Sequence, residues 1–85
     1  MPSDHPVSDE EIGAVLSSDK PVFIELYSDS WMACLLSEPF VKRLRQQYGD
    51  SVSFLILDAT NSVSLNYAKE FRLYVTPSFL LVDGY

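Results

Sequence analysis

Residues 20–44 read KPVFIELYSDSWMACLLSEPFVKRL, and the fold turns on where the periodicity changes inside that run. Val22 to Tyr27 is a nearly continuous β-branched and aromatic stretch. That pattern suits a strand buried on both faces, as in a sheet with parallel neighbours. Ser28-Asp29-Ser30 makes a turn, and from Met32 to Tyr48 the pattern becomes helical. Phe40, Val41, Leu44 and Tyr48 fall on one face, and Lys42, Arg43 and Arg45 lie in the C-terminal half, where cations suit the helix dipole. Gly49 marks the stop. Pro39 has no N–H to donate, and its ring clashes with the carbonyl four residues back, so it should kink the helix.

Upstream, Ser8-Asp9-Glu10-Glu11 reads as a capping box, with Val7 and Ile12 placed to close a hydrophobic staple. A short helix is expected from Asp9 to about Ser17, with Ile12, Val15 and Leu16 on one face. Residues 1–7, with two prolines and a solvated His5, are expected to form a disordered lead-in. Downstream, Val52 to Leu57 predicts a second strand. Ser62 to Phe71 predicts a third helix, with Leu65, Ala68 and Phe71 or Arg72 near one face. Val75 to Val82 predicts a last strand with a proline at its start, and Asp83-Gly84 after it is a hairpin signal. Alternating helices and strands at this spacing favour an α/β domain.

Composition narrows the function classes. Eighty-five residues at 47% hydrophobic content suffice for one core, in a chain that buries roughly 60–65% of its surface. Twelve acidic against six basic residues, a net charge of −6, repel phosphate backbones and anionic membranes. Nucleic acid is therefore not an expected partner. No apolar run approaches the roughly 20 residues that span a bilayer, so direct membrane insertion is not expected. The acidic N-terminus does not look like a signal peptide. The default compartment is cytoplasmic, or exported and periplasmic if the sequence is a fragment of a longer precursor. Cys34 is the single cysteine, which excludes an internal disulfide. One cysteine and one distant histidine suggest no metal site, and no cofactor is expected.

Taken together, KPVFIELYSDSWMACLLSEPFVKRL and VTPSFLLVDG resemble the thioredoxin superfamily. In that family a strand leads through a W-C-x-x-C turn into a proline-kinked helix, and a cis-proline loop precedes a late strand. The resemblance runs from about Lys20 to Gly84. Cys34 falls on the second cysteine of the CxxC, Pro39 on the kink proline and Pro77 on the cis-proline. LDAT, followed by a long segment before TPSFLLVDG, more loosely resembles the C-terminal reductase domain of bacterial transmembrane thiol-disulfide interchange proteins. The resemblance implies an α/β thioredoxin-like fold with a central mixed sheet flanked by helices. The domain would occupy residues 8–85, truncated after the strand that follows Pro77, without the final strand and helix. Apolar surface around Phe79 and Leu81 should then be exposed, favouring self-association through the incomplete sheet edge.

The departures from the pattern decide the expected chemistry. Trp31 stands where the family has its nucleophilic cysteine, and Ser30 where it usually has tryptophan. Glu25 matches a buried acidic position implied to pass protons to the second cysteine, while its common lysine partner is replaced by Phe54. In the family's cycle the first thiolate attacks a substrate disulfide and the second thiol resolves the mixed disulfide. With Cys34 alone in the resolving position, that cycle cannot run, and Cys34 reads as a small buried hydrophobe ahead of a working thiol. Trp31 and Met32 at the start of the helix, beside Thr76 and Pro77, read either as an anchor for a peptide or protein partner or as a cover for apolar neighbours. Glu25 is a candidate proton shuttle, or else a strand-end residue that reaches solvent. The expected function is a redox-inactive thioredoxin-like binding module. The alternative is a thiol-disulfide oxidoreductase whose active form carries cysteine at position 31.

Overall fold

The computed structural model describes Pro6 and residues 8–83. The chain runs α1 (Asp9–Leu16), β1 (Val22–Tyr27), α2 (Met32–Tyr48), β2 (Ser53–Asp58), α3 (Ser62–Glu70) and β3 (Ser78–Val82). The strands form one mixed sheet in the order β2-β1-β3, with β2 parallel and β3 antiparallel to β1. This is the expected α/β arrangement.

Register assigns the two faces. Ile24 sits between Leu55 and Leu80, and Leu26 between Leu57 and Ser78. Side chains alternate along a strand, so these residues share the face covered by α1 and α3. There Ile12, Leu16, Val22, Ile24, Leu26, Leu55, Leu57, Ala68 and Leu73 form the core. The opposite face carries Phe23 between Phe54 and Leu81, and Glu25 between Ile56 and Phe79. The Phe23 ring lies 5.3 Å from Phe54 and 5.8 Å from Phe79, centroid to centroid. α2 lies over this second face, with the Arg45 guanidinium 5.6 Å above the Phe54 ring.

Four of the helix ends have a local cause. At α1 the Glu11 N–H donates to Ser8 Oγ at 3.2 Å, as a capping box requires. The reciprocal bond differs from expectation, because the Ser8 hydroxyl donates to the Glu11 carboxylate at 3.1 Å. At α3, Asn61 Oδ1 accepts from Ser64 N–H at 2.9 Å. That helix ends in a Schellman motif: Arg72 N–H donates to Lys69 O at 3.0 Å and Leu73 N–H to Ala68 O at 2.8 Å. Arg72 carries the motif's left-handed turn at φ 60°, and Leu73 closes over Ala68 in the core. Gly49 ends α2 in ordinary helical geometry, φ −58°. Glycine is needed there for space, since a Cβ would come 2.6 Å from the Arg45 carbonyl oxygen.

Several expectations need correction. The expected apolar face of α2 is largely open: Phe40 and Tyr48 are exposed, and Cys34 and Val41 are its buried residues. The last strand starts at Ser78 instead of Val75, because the chain turns through a cis Thr76–Pro77 bond and Ser78 Oγ donates back to the Val75 carbonyl. Arg72 is exposed and does not join the apolar face of α3; buried Ser64 does. The lead-in over residues 1–7 lies outside the described residues except at Pro6. That residue is buried, and its carbonyl accepts from Ser64 Oγ at 3.2 Å. The staple at Val7 and the turn at Gly84 also lie outside the described residues.

Candidate functional site

β1 ends at Tyr27, and a short turn delivers Trp31 as the N-cap of α2. Trp31 has extended backbone, φ −113° and ψ 121°, and makes no side-chain cap bond. The turn is held from within. Trp31 N–H donates to Ser28 O at 3.3 Å, Cys34 N–H to Trp31 O at 3.0 Å, and the Ser28 and Ser30 hydroxyls pair at 2.9 Å. Side chains at this helix start point outward: Trp31 is 54% and Met32 65% exposed. Because β3 runs antiparallel to β1 with Ser78 opposite Leu26, the Thr76–Pro77 turn lies at the same end of the sheet as the Trp31 turn. The fold thus brings the two expected partner-binding segments to one end of the molecule.

Cys34 faces the other way and has no solvent exposure. Its Sγ accepts the Ser28 N–H at 3.4 Å, and its carbonyl accepts from Ser37 Oγ at 2.8 Å. Among the described residues no hydrogen bond joins Cys34 to Glu25.

Glu25 lies mid-strand on the sheet floor beneath α2 and is 3% exposed, so it does not reach solvent as a strand-end residue would. Its Oε2 has no hydrogen-bond partner. Burial, reinforced by the Glu38 carboxylate and opposed by the Arg45 guanidinium, pushes its pKa up from 4.5 to about 7. The Tyr27 hydroxyl donates to Glu38 Oε1 at 3.0 Å. Partial burial and that bond push the tyrosine up to about 12. These groups line one cleft of about 540 Å³ between α2 and the sheet.

Sequence reasoning missed the part played by Glu38, Arg45 and Tyr27. The sequence assigns Lys42, Arg43 and Arg45 only to the C-terminal half of the helix, whereas Arg45 and Lys42 line the cleft. The readable signal was spacing, since Glu38, Lys42 and Arg45 recur on one side of α2 at intervals of four and three. The cations that line the cleft with Glu25, Lys42 and Arg45, both come from α2.

Comparison with known proteins gives the family. No family model matches the chain. It is 34% identical over 68 residues to the thioredoxin-like protein HCF164, chloroplastic, of Arabidopsis thaliana, covering 80% of this chain and 26% of that protein. It is 28% identical over 72 residues to the thiol:disulfide interchange protein TxlA homolog of Synechocystis, covering 85% and 40% respectively. Among solved structures, thioredoxin from Trypanosoma brucei brucei superposes with a TM-score of 0.80 at 19% identity, over 96% of this chain and 71% of that one. The chain belongs to the thioredoxin superfamily. Its mixed sheet and flanking helices are that family's fold, and its relatives include thiol:disulfide interchange proteins. It spans less than half the length of the curated relatives it matches. Among the described residues no helix is long and apolar enough to cross a membrane.

Proposed function

We propose that this thioredoxin-like domain is redox-inactive as it stands and holds peptide or protein partners at the surface formed by Trp31, Met32 and the Thr76–Pro77 turn. The observation that carries the reading is the pairing of an exposed tryptophan, where the family's attacking thiol belongs, with a fully buried Cys34. A disulfide cannot be attacked by an indole, and the remaining thiol is covered. The exposed aromatic is instead suited to anchor a partner's apolar side chain. Backbone groups beside Pro77 would pair with an extended peptide as an added strand.

The test uses the chain itself and its Cys34→Ala variant in disulfide reduction driven by a dithiol donor. Equal, background-level rates are expected. Turnover by the parent well above the variant would end the reading. Trp31 is the sole tryptophan, so its emission reports directly on partner capture, and saturable quenching by an extended apolar peptide is expected.

The kinship with thiol:disulfide interchange proteins supports a second reading, in which an ancestral or natural form carries cysteine at position 31 and works as an oxidoreductase. Cys34 would then resolve the mixed disulfide, and Glu25 would relay its proton. Trp31→Cys tests it: a folded variant that gains no reductase activity removes the support.

A further inference from the structure

We propose that the cleft beneath α2 binds a small neutral aromatic molecule carrying one N–H or O–H donor, which donates to the Glu25 carboxyl. This goes beyond the partner-binding reading and does not rest on it, because none of Trp31, Met32, Thr76 and Pro77 lines the cleft.

Three observations carry it. First, Glu25 is 3% exposed, lines the cleft and presents an oxygen, Oε2, without a hydrogen-bond partner. Buried polar atoms are rarely left unsatisfied, so an unpartnered oxygen on a side chain that lines a cavity marks a place for an external donor. The other cleft carboxylate, Glu38, is already engaged by the Tyr27 hydroxyl. Second, the volume of about 540 Å³ falls in the range of small-molecule sites, which run from roughly 300 to 1,000 Å³. Leu35, Pro39, Val41 and Ile56 supply the apolar wall. Third, charge selects neutrality. Lys42 and Arg45 in the lining repel a cation, while Glu25 and Glu38 repel an anion. A flat apolar body with one donor satisfies all three conditions.

Protonation should tune the site. With its pKa near 7, Glu25 ionises between pH 6 and 8, and a carboxylate accepts more strongly than the neutral acid. The groups that face it are Glu38, Lys42 and Arg45 from α2 and Tyr27 from β1, with Ile56 facing from β2 and Phe79 from β3. Affinity for the donor should rise over that interval.

The experiment is an amide chemical-shift titration of the whole chain with indole and with 1-methylindole, which keeps the ring and lacks the donor. Saturable shifts are expected at Glu25, Leu35, Val41 and Ile56, with 1-methylindole at least tenfold weaker. Glu25→Gln keeps an acceptor, so it should retain the preference and lose the pH dependence. Glu25→Leu should bind both probes alike, and if that variant does not fold, the ligand pair and Glu25→Gln decide. Equal affinities in the parent, shifts confined to the Trp31 surface, or no saturation at the solubility limit of indole would each overturn the proposal.

Discussion

Glu25 shows most directly how one residue's environment sets its chemistry. Its neighbours across the sheet are Ile56 and Phe79, and a carboxylate on such a floor is costly to ionise. Its folded pKa of about 7 lies above the unfolded 4.5, so the folded chain holds this proton more tightly. The stability it contributes is full below pH 4.5 and is lost as pH rises through 7. Glu25→Gln removes the titration. The variant should match the parent near pH 4.5 and exceed it by about 3 kcal/mol above pH 7, at roughly 1.4 kcal/mol per pKa unit. Denaturant melts of both proteins at pH 4.5 and pH 8 measure this, and parallel profiles would show that Glu25 is solvated or paired in solution. The nearby thiol is governed by packing. Cys34→Ala should therefore cost stability as a small core truncation does, about 1 kcal/mol, without changing any turnover rate.

The helices show what local sequence specifies and what it does not. The caps of α1 and the strand character of β1 were legible because capping boxes and β-branched runs act over a few residues. The end of α3 was legible to within a residue, but the left-handed turn just beyond it was not, because an arginine gives no hint of the φ 60° that Arg72 adopts. Glycine favours that conformation and a β-carbon does not. Arg72→Gly should stabilise the domain by about 1 kcal/mol, a rise in Tm of roughly 4–8 °C for a chain of this size; an unchanged or lower Tm would show that the Arg72 side chain offsets the strain. The burial of α2 was misread for a different reason. Periodicity identifies an apolar stripe, but what covers the stripe depends on tertiary neighbours. Phe40 and Val41 illustrate this: one is exposed and the other buried. Val41→Ala should cost about 2 kcal/mol, and Phe40→Ala far less, in the same thermal melts. Comparable losses would mean that Phe40 is covered in solution. The motif positions Cys34, Pro39 and Pro77 pointed to the fold through family spacing. The cleft did not emerge, because it depends on how α2 lies over Phe54 and Glu25.

For the molecule as a whole, the sheet has one face packed by α1 and α3 and another only partly covered by α2. Phe79 is 41% and Leu81 61% exposed on that second face. β3 lies at the sheet's edge, and its five residues, SFLLV, carry no charge. Such an edge invites pairing, opposed by the net charge of −6. We expect concentration-dependent association in sedimentation velocity that rises with salt as repulsion is screened and falls in Leu81→Lys. A single monomeric species at every concentration and salt would refute it. The proposed function rests on a scaffold that keeps the family fold and exposes the Trp31 indole at the start of α2. The decisive measurement is disulfide reduction with a dithiol donor, run on the chain, on Cys34→Ala and on Trp31→Cys. The account predicts background rates for the first two, while a parent rate well above that of Cys34→Ala would contradict it.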